Sequence, residues 1–193
     1  MLFRSVSQSR YYDLAIVDPP YGIQITKSGV LKKYNSNNID WDNVIPDKYY
    51  FNELFRISKN QIIWGANYFL DYLGPTKCFL IYEKKQPSNI CFASCEFAWT
   101  SFKSVAKTFY YSPMQIKNRF HPTQKPVKLY EWLLKNYANP TDKIIDTHFG
   151  SCSIGNACHN FGCSLDACEI DKEYFDKAVE RLKTNFKELD LFR

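Results

Sequence analysis

The chain has 193 residues, with 25 Lys plus Arg against 20 Asp plus Glu for a net charge of +5, 45% hydrophobic residues and 23% charged ones. That length fits a single domain able to fold without a metal or disulfide staple, and the balanced composition excludes a wholly disordered chain. No apolar run approaches the ~18 residues of a membrane span, the opening MLFRSVSQSR lacks the apolar core of a secretion signal, and seven cysteines, an odd number, read as free thiols in a reducing cytoplasm.

Taken in chain order, residues 12–18 (YDLAIVD) form a short apolar run stopped by Pro19-Pro20, the pattern of a buried strand. Residues 22–43 are polar, without helical period, and read as a long loop; loops of that length are usually functional or disordered. Tyr50, Leu54, Phe55 and Ile57 recur on helical spacing behind Pro46 and Asp47, predicting a helix over 46–58. A strand at 61–65, a short helix at 67–73 and strands at 77–83 and 95–102 follow. Leu129, Tyr130, Leu133, Leu134 and Tyr137 predict a helix over 127–137. The chain then alternates strand 143–146, helix 154–160, strand 164–170 and helix 172–182, the last with a mixed-charge face over an apolar stripe. This alternation predicts parallel βαβ units and an α/β fold of one domain over 1–193.

Charge is unevenly spread. Between Glu96 and Glu131 stand Lys103, Lys107, Lys117, Arg119, Lys125 and Lys128 and no acid, interleaved with Trp99, Phe102, Phe109, Tyr110, Tyr111 and Phe120. That mixture suits a surface that tracks a phosphate backbone and stacks on bases, and it equally suits a solvated face over an aromatic core.

Three motifs carry chemistry. Asp18-Pro19-Pro20-Tyr21 directly follows a strand, and in open α/β sheets ligands bind beyond the carboxyl ends of strands. Asp18 offers an acceptor-only carboxylate, the prolines fix the backbone so that the Pro19 carbonyl can face a ligand, and Tyr21 offers a flat ring. Two acceptors beside an aromatic plate suit a planar substrate with an exocyclic amine; a plain strand-ending turn would use the same residues. The second motif, Asp146-Thr147-His148-Phe149-Gly150-Ser151-Cys152, is a glycine turn entering a helix. It lacks the spacing of the dinucleotide fingerprint and the Lys-Ser/Thr of a phosphate-cradling loop. Glu169, 19 residues beyond Gly150 at the tip of the next strand, is placed to bind ribose hydroxyls, so the pair fits an adenosine-type cofactor. The third, His121-Pro122-Thr123-Gln124-Lys125-Pro126, precedes a helix whose first turn suits Pro126, and Thr123 and Lys125 are candidates to meet a carboxylate.

In that order DPPY, HPTQKP, DTHFGS and CEIDKEYF resemble an S-adenosylmethionine-dependent DNA amino-methyltransferase, of the N6-adenine/N4-cytosine group in which the catalytic motif precedes the cofactor motif. The short phage- and prophage-encoded members are the most similar, also in stretches like SKNQIIWGANYF and EFAWTSF, and the resemblance covers about residues 12–184. It implies a class I methyltransferase-like (Rossmann-like) fold, a mostly parallel sheet flanked by helices with circularly permuted motif order. It implies that Asp18 and the Pro19 carbonyl, held by Pro20, accept the hydrogens of the target amine while Tyr21 stacks on the base. Cofactor contacts are implied for Asp146 (methionine amino end), Phe149, Gly150 and Ser151 (turn), Glu169 (ribose), and His121, Thr123 and Lys125 (carboxylate loop). The expected partner is double-stranded DNA, entered by base flipping, contacted by loops 24–43 and 103–120, with phosphate contacts at Lys103, Lys107, Lys117 and Arg119 of the second. No metal and no membrane is required, a homodimer is allowed for, and a companion nuclease is not identified. Asp in DPPY favours adenine; cytosine N4 is the alternative.

Two positions depart from the family pattern. Cys152 stands where members carry the second glycine of the cofactor turn, and Ala66 where many carry another glycine. A side chain at a left-handed position costs about 1 kcal/mol or more, which opens the alternative of a binding relative without turnover. Cys152, Cys158, Cys163 and Cys168 are spaced too widely for a zinc knuckle and read as small core residues.

Overall fold

A computed structural model describes residues 10–27, 41–87, 89–90 and 92–190. Strand β1 (Tyr12–Val17) is the buried run expected, and it is an interior strand, fifth in a seven-stranded sheet of order β5-β3-β4-β2-β1-β6-β7. On one side β1 pairs in parallel with β2 (Ser58–Trp64), Ile16 opposite Ile62; on the other with β6 (Lys143–Asp146), Leu14 opposite Ile144. β6 pairs in parallel with β7 (Ser164–Ala167). Beyond β2, β4 (Cys95–Thr100) runs antiparallel to both of its neighbours, and β3 (Leu80–Glu83) and β5 (Lys107–Tyr110) complete the sheet in parallel with each other. The sheet is therefore mostly parallel, as expected, with β4 the reversed strand.

Alternating side chains of β1 feed two separate cores. Leu14 and Ile16 join Ile62, Trp64 and Leu80 beneath helix α2 (Val127–Tyr137), which buries Leu129, Tyr130, Leu133 and Leu134, and helix α3 (Ser153–Phe161). Ala15 and Val17 face the other way, onto Phe51, Leu54 and Ile57 of helix α1 (Lys48–Ile57), whose start is capped by Asp47 accepting from the Tyr50 amide at 3.0 Å. Helix α4 (Lys172–Asp190) closes the chain, its first turn capped by Asp171. No helix among the described residues is long and apolar enough to cross a membrane.

Several boundaries differ from the sequence reading. The short helix expected at 67–73 is a 3-10 turn, Ala66–Tyr68, because seven residues ahead of Gly74-Pro75 cannot repay helix nucleation and Phe69 is drawn into the core. β2 starts at Ser58, three residues early, since Lys59 and Asn60 interrupt the apolar run without interrupting the pairing to β1. The 103–120 stretch, read as a loop, contains edge strand β5, too short for a period-2 pattern to show. α4 runs past 182 to Asp190. Residues 28–40 of the expected 24–43 loop lie outside the described residues.

Connectivity locates a crevice. From β1 the chain crosses through α1 to β2 on one face, and from β6 through α3 to β7 on the other, in opposite directions along the sheet. The carboxyl ends of β1 and β6 flank the point where the winding reverses, where open α/β sheets bind ligands.

Candidate active site

A cavity of about 550 Å³ opens at that reversal. Asp18, Lys125, His148, Phe149, Gly150 and Glu169 all line it, so the three motifs converge although more than 100 residues separate the first from the third.

The β1 turn is held by contacts from distant segments. Asp42, 1% exposed, accepts from the amides of Tyr21 (2.7 Å), Gly22 (2.9 Å) and Ile25 (3.0 Å) and so fixes the chain leaving DPPY. The Tyr21 ring stacks on Tyr68 (centroids 5.0 Å, 17°) and lies over Gly65, where a Cβ would fall 2.1 Å from its Cε1. With φ +74°, that position suits glycine on conformational grounds as well. The Tyr21 hydroxyl donates to Asp18 Oδ1 at 2.5 Å, and the Lys125 ammonium lies 2.5 Å from Oδ2. Burial pushes the Asp18 carboxyl above its ordinary value, with Lys125 the main opposing influence.

The β6 turn is tied to its own backbone and the neighbouring strand. The Phe149 amide donates to the Cys168 carbonyl at 3.0 Å, and the Cys168 amide to that of Asp146 at 3.1 Å. Glu169 accepts from the Gly150 amide (2.7 Å) and the Asp171 amide (3.0 Å), linking the two strand ends. Asp146 is 2% exposed; burial raises its carboxyl to about 7 against the pull of the His148 amide at 3.0 Å. The Ser151 carbonyl accepts from Arg181 at 2.7 Å, and Ser153 Oγ donates to the Lys125 carbonyl, which seats the third motif on the second.

Cys152 has φ +57°, the left-handed conformation its family position predicts, and is fully buried. Its accommodation has a local reason. A Cβ at Gly155 would stand 2.3 Å from Cys152 Sγ and 3.1 Å from Leu182 Cδ2, so the thiol occupies space that Gly155 leaves open.

In the third motif, His121 lies between Trp41 (stacked, 5.7 Å) and Tyr174 (edge-on, 4.4 Å), and its Nδ1 accepts from the Thr123 amide at 3.4 Å. Burial, with Arg119 and Lys125 nearby, lowers the ring to about 3, so it stays neutral. Lys125, 5% exposed and expected at a cofactor carboxylate, has its ammonium paired with Asp18 and, at 2.8 Å, with Glu96 of β4. Of the basic residues expected on DNA, Lys103 and Lys117 are exposed. Lys107 donates to Asn136 at 2.9 Å and lies over the Tyr137 ring, while Arg119 donates to the carbonyls of His121 and Pro122 and braces that loop.

Glu96, Lys84, Asp42, Gly65 and Trp41 belong to the site and were not singled out from the sequence. Glu96 alone carried a signal, as the single acid opening a long basic stretch.

The fold is that of class I methyltransferases. The M1.HpyAVI–SAM complex superposes with TM-score 0.62 at 21% identity, over 90% of this chain and 89% of that one. TTHA0409 of Thermus thermophilus, complexed with S-adenosyl-L-methionine, gives 0.61 at 14%, over 95% and 90%. The cytosine-N4-specific PvuII DNA methyltransferase gives 0.64 at 13%, over 96% and 88%. Residues 57–180 match the family model described as DNA methylase, and the chain belongs to this N6/N4 DNA methyltransferase family. The type II methyltransferase M.HpaI of Haemophilus parainfluenzae is 39% identical over 75 residues, 38% of this chain but only 24% of that protein's length.

Proposed function

We propose that the chain transfers the methyl group of S-adenosylmethionine to the exocyclic N6 amine of adenine in double-stranded DNA, with the base flipped out of the helix. The observation that carries this reading is that the Asp18 carboxylate and the Gly150–Glu169 pair line one cavity, so an amine acceptor and a nucleoside holder face the same space. The residues present fit the cofactor: the cavity volume lies within the range of small-molecule sites, the Glu169 carboxylate lines it beyond β7, and Phe149 and Ile170 add apolar surface. Glu169 would take the ribose hydroxyls and Asp146 the methionine amino group, with Gly150 and Ser151 close along the turn, and His121 and Thr123 on the carboxylate side, whereas the Lys125 ammonium is taken up by Asp18 and Glu96. When bound, the cofactor supplies an electrophilic methyl on a sulfonium.

The remaining work falls to the chain. The adenine amine is a poor nucleophile because its lone pair is delocalised into the ring. Asp18 and the Pro19 carbonyl, accepting both N–H groups, favour a pyramidal nitrogen and stabilise the positive charge that develops there. Tyr21, fixed by Gly65, Tyr68 and Asp18, supplies the aromatic wall, and positioning provides most of the rate. Lys103 and Lys117, with Lys107 and Arg119 beside them, are the proposed phosphate contacts.

Transfer of labelled methyl to unmethylated DNA, followed by nucleoside mass spectrometry, tests the reading. N6-methyladenine is the expected product. N4-methylcytosine would keep the mechanism and change the base. No product from protein that binds both DNA and cofactor would favour a non-catalytic binder, the reading that Cys152 motivates.

A further inference from the structure

We propose that Lys125 acts on the reaction through Asp18, as a positioning residue: with Glu96 and Lys84 it forms a buried row of alternating charges that fixes Asp18 Oδ2, while Oδ1, which accepts from the Tyr21 hydroxyl, has its second lone pair to meet the target amine. This rests on the reading of Asp18 as the amine acceptor.

The row runs Asp18, Lys125, Glu96, Lys84, with contacts of 2.5, 2.8 and 2.8 Å, and side-chain exposures of 17, 5, 21 and 16%. Its members come from four places: the end of β1, the loop before α2, strand β4, and the residue after β3. The Lys125 ammonium donates to Asp18 and forms an ion pair with Glu96, so both of its close partners are carboxylates of this chain. A lysine serving a cofactor carboxylate would keep its charge on the cavity side, unshared. A lone buried Asp–Lys pair is costly to desolvate, and a second carboxylate by itself would leave surplus negative charge. Lys84 brings the four groups to neutrality.

The chemistry requires such a device. Only the ionised carboxylate presents acceptors alone, and burial by itself would protonate Asp18. Burial works against Glu96 too, yet Lys125 and Lys84 bring it to about 2. Lys125 stays above its ordinary value because Asp18 and Glu96 outweigh its own desolvation. The other titratable groups facing the row are Tyr21, Tyr50, Tyr82, Tyr130, Asp146 and His121, with Arg119 behind Tyr82 and His121.

Two variants should move Asp18 in opposite directions. Lys125→Met removes its counter-charge, so the carboxyl holds its proton to higher pH and the acid limb of turnover rises by about one unit or more, with about 10²-fold lower turnover at neutral pH. Glu96→Gln, nearly isosteric, removes a neighbouring negative charge and leaves Lys125 undivided on Asp18, so the limb falls. Lys125→Arg restores the limb even where turnover recovers only in part. The same shifts are read without turnover from the ¹³C resonance of the Asp18 carboxyl in the free protein, identified by its loss in Asp18→Asn. Calorimetry should find S-adenosylmethionine affinity of Lys125→Met within about threefold of wild type, far less than the loss expected on removing a direct charged contact. An unmoved Asp18 titration, or a limb shifted the same way by both variants, overturns the proposal, as does a tenfold or greater loss of cofactor affinity with Asp18 unchanged. Should Lys125→Met fail to fold, Glu96→Gln alone decides, by a downward shift or none. If wild-type protein methylates no DNA, the proposed function fails while the carboxyl titration still decides this inference.

Discussion

The turns after β1 and β6 share one cavity and are built in opposite ways. The β6 turn is a local βα device: its amides and carbonyls pair with the adjoining strand end, and Glu169 arrives with β7, the next strand in sequence. The β1 turn is assembled from outside, with Asp42 on its amides, Gly65 beneath its tyrosine and Lys125 on its carboxylate. A group that must meet a reacting atom within tenths of an ångström needs support from several directions. A turn that only holds a cofactor can be supplied by one supersecondary unit.

Several changes should separate the two turns, beginning with the largest effect. Asp18→Asn should lower methyl transfer about 10³-fold, as loss of a transition-state acceptor does, while cofactor affinity measured by calorimetry stays within about threefold; a collapse of cofactor binding would mean that the turns are not separable. Gly65→Ala should displace Tyr21 and destabilise the fold by about 3 kcal/mol in urea unfolding, because overpacking and a positive φ act together. At the β6 turn, Asp146 holds its proton up to about pH 7 in the free protein. Pairing with a cationic amine ionises it, so cofactor affinity should rise as pH climbs through about 7, with a proton released that calorimetry in two buffers will count. An affinity flat across that range would remove Asp146 from the amino end. Gly155→Ala should cost about 1–3 kcal/mol through its clash with Cys152 Sγ, and Cys152→Gly in the same chain should recover most of it. The smallest change is Lys117→Ala, which should lower the salt slope of DNA binding by about one while leaving both turns intact.

The legible parts of the molecule were those whose signal is local. Residues 127–137 give a helix with the expected bounds because five apolar residues recur within eleven positions, and 143–146 give a strand because the run is short, apolar and bounded. The 67–73 segment misled because Tyr68 and Phe69 mimic a helical stripe while serving Tyr21 and the α1-side core. Edge strand β5 was hidden because four residues, half exposed, carry too little pattern, and its pairing to β3 is a tertiary fact.

By itself, the sequence determined the α/β class, the central strands and the three motifs, with Asp18, Gly150 and Glu169 at strand ends, because strand runs, proline stops and glycine turns are encoded by neighbours along the chain. Only the tertiary structure decided that Glu96 and Lys84 stand behind Lys125, that Asp42 and Gly65 shape the DPPY turn, and that Gly155 makes room for Cys152. Most of those relations join residues tens of positions apart, and the energy of a buried charge or a close contact depends on what surrounds it in space.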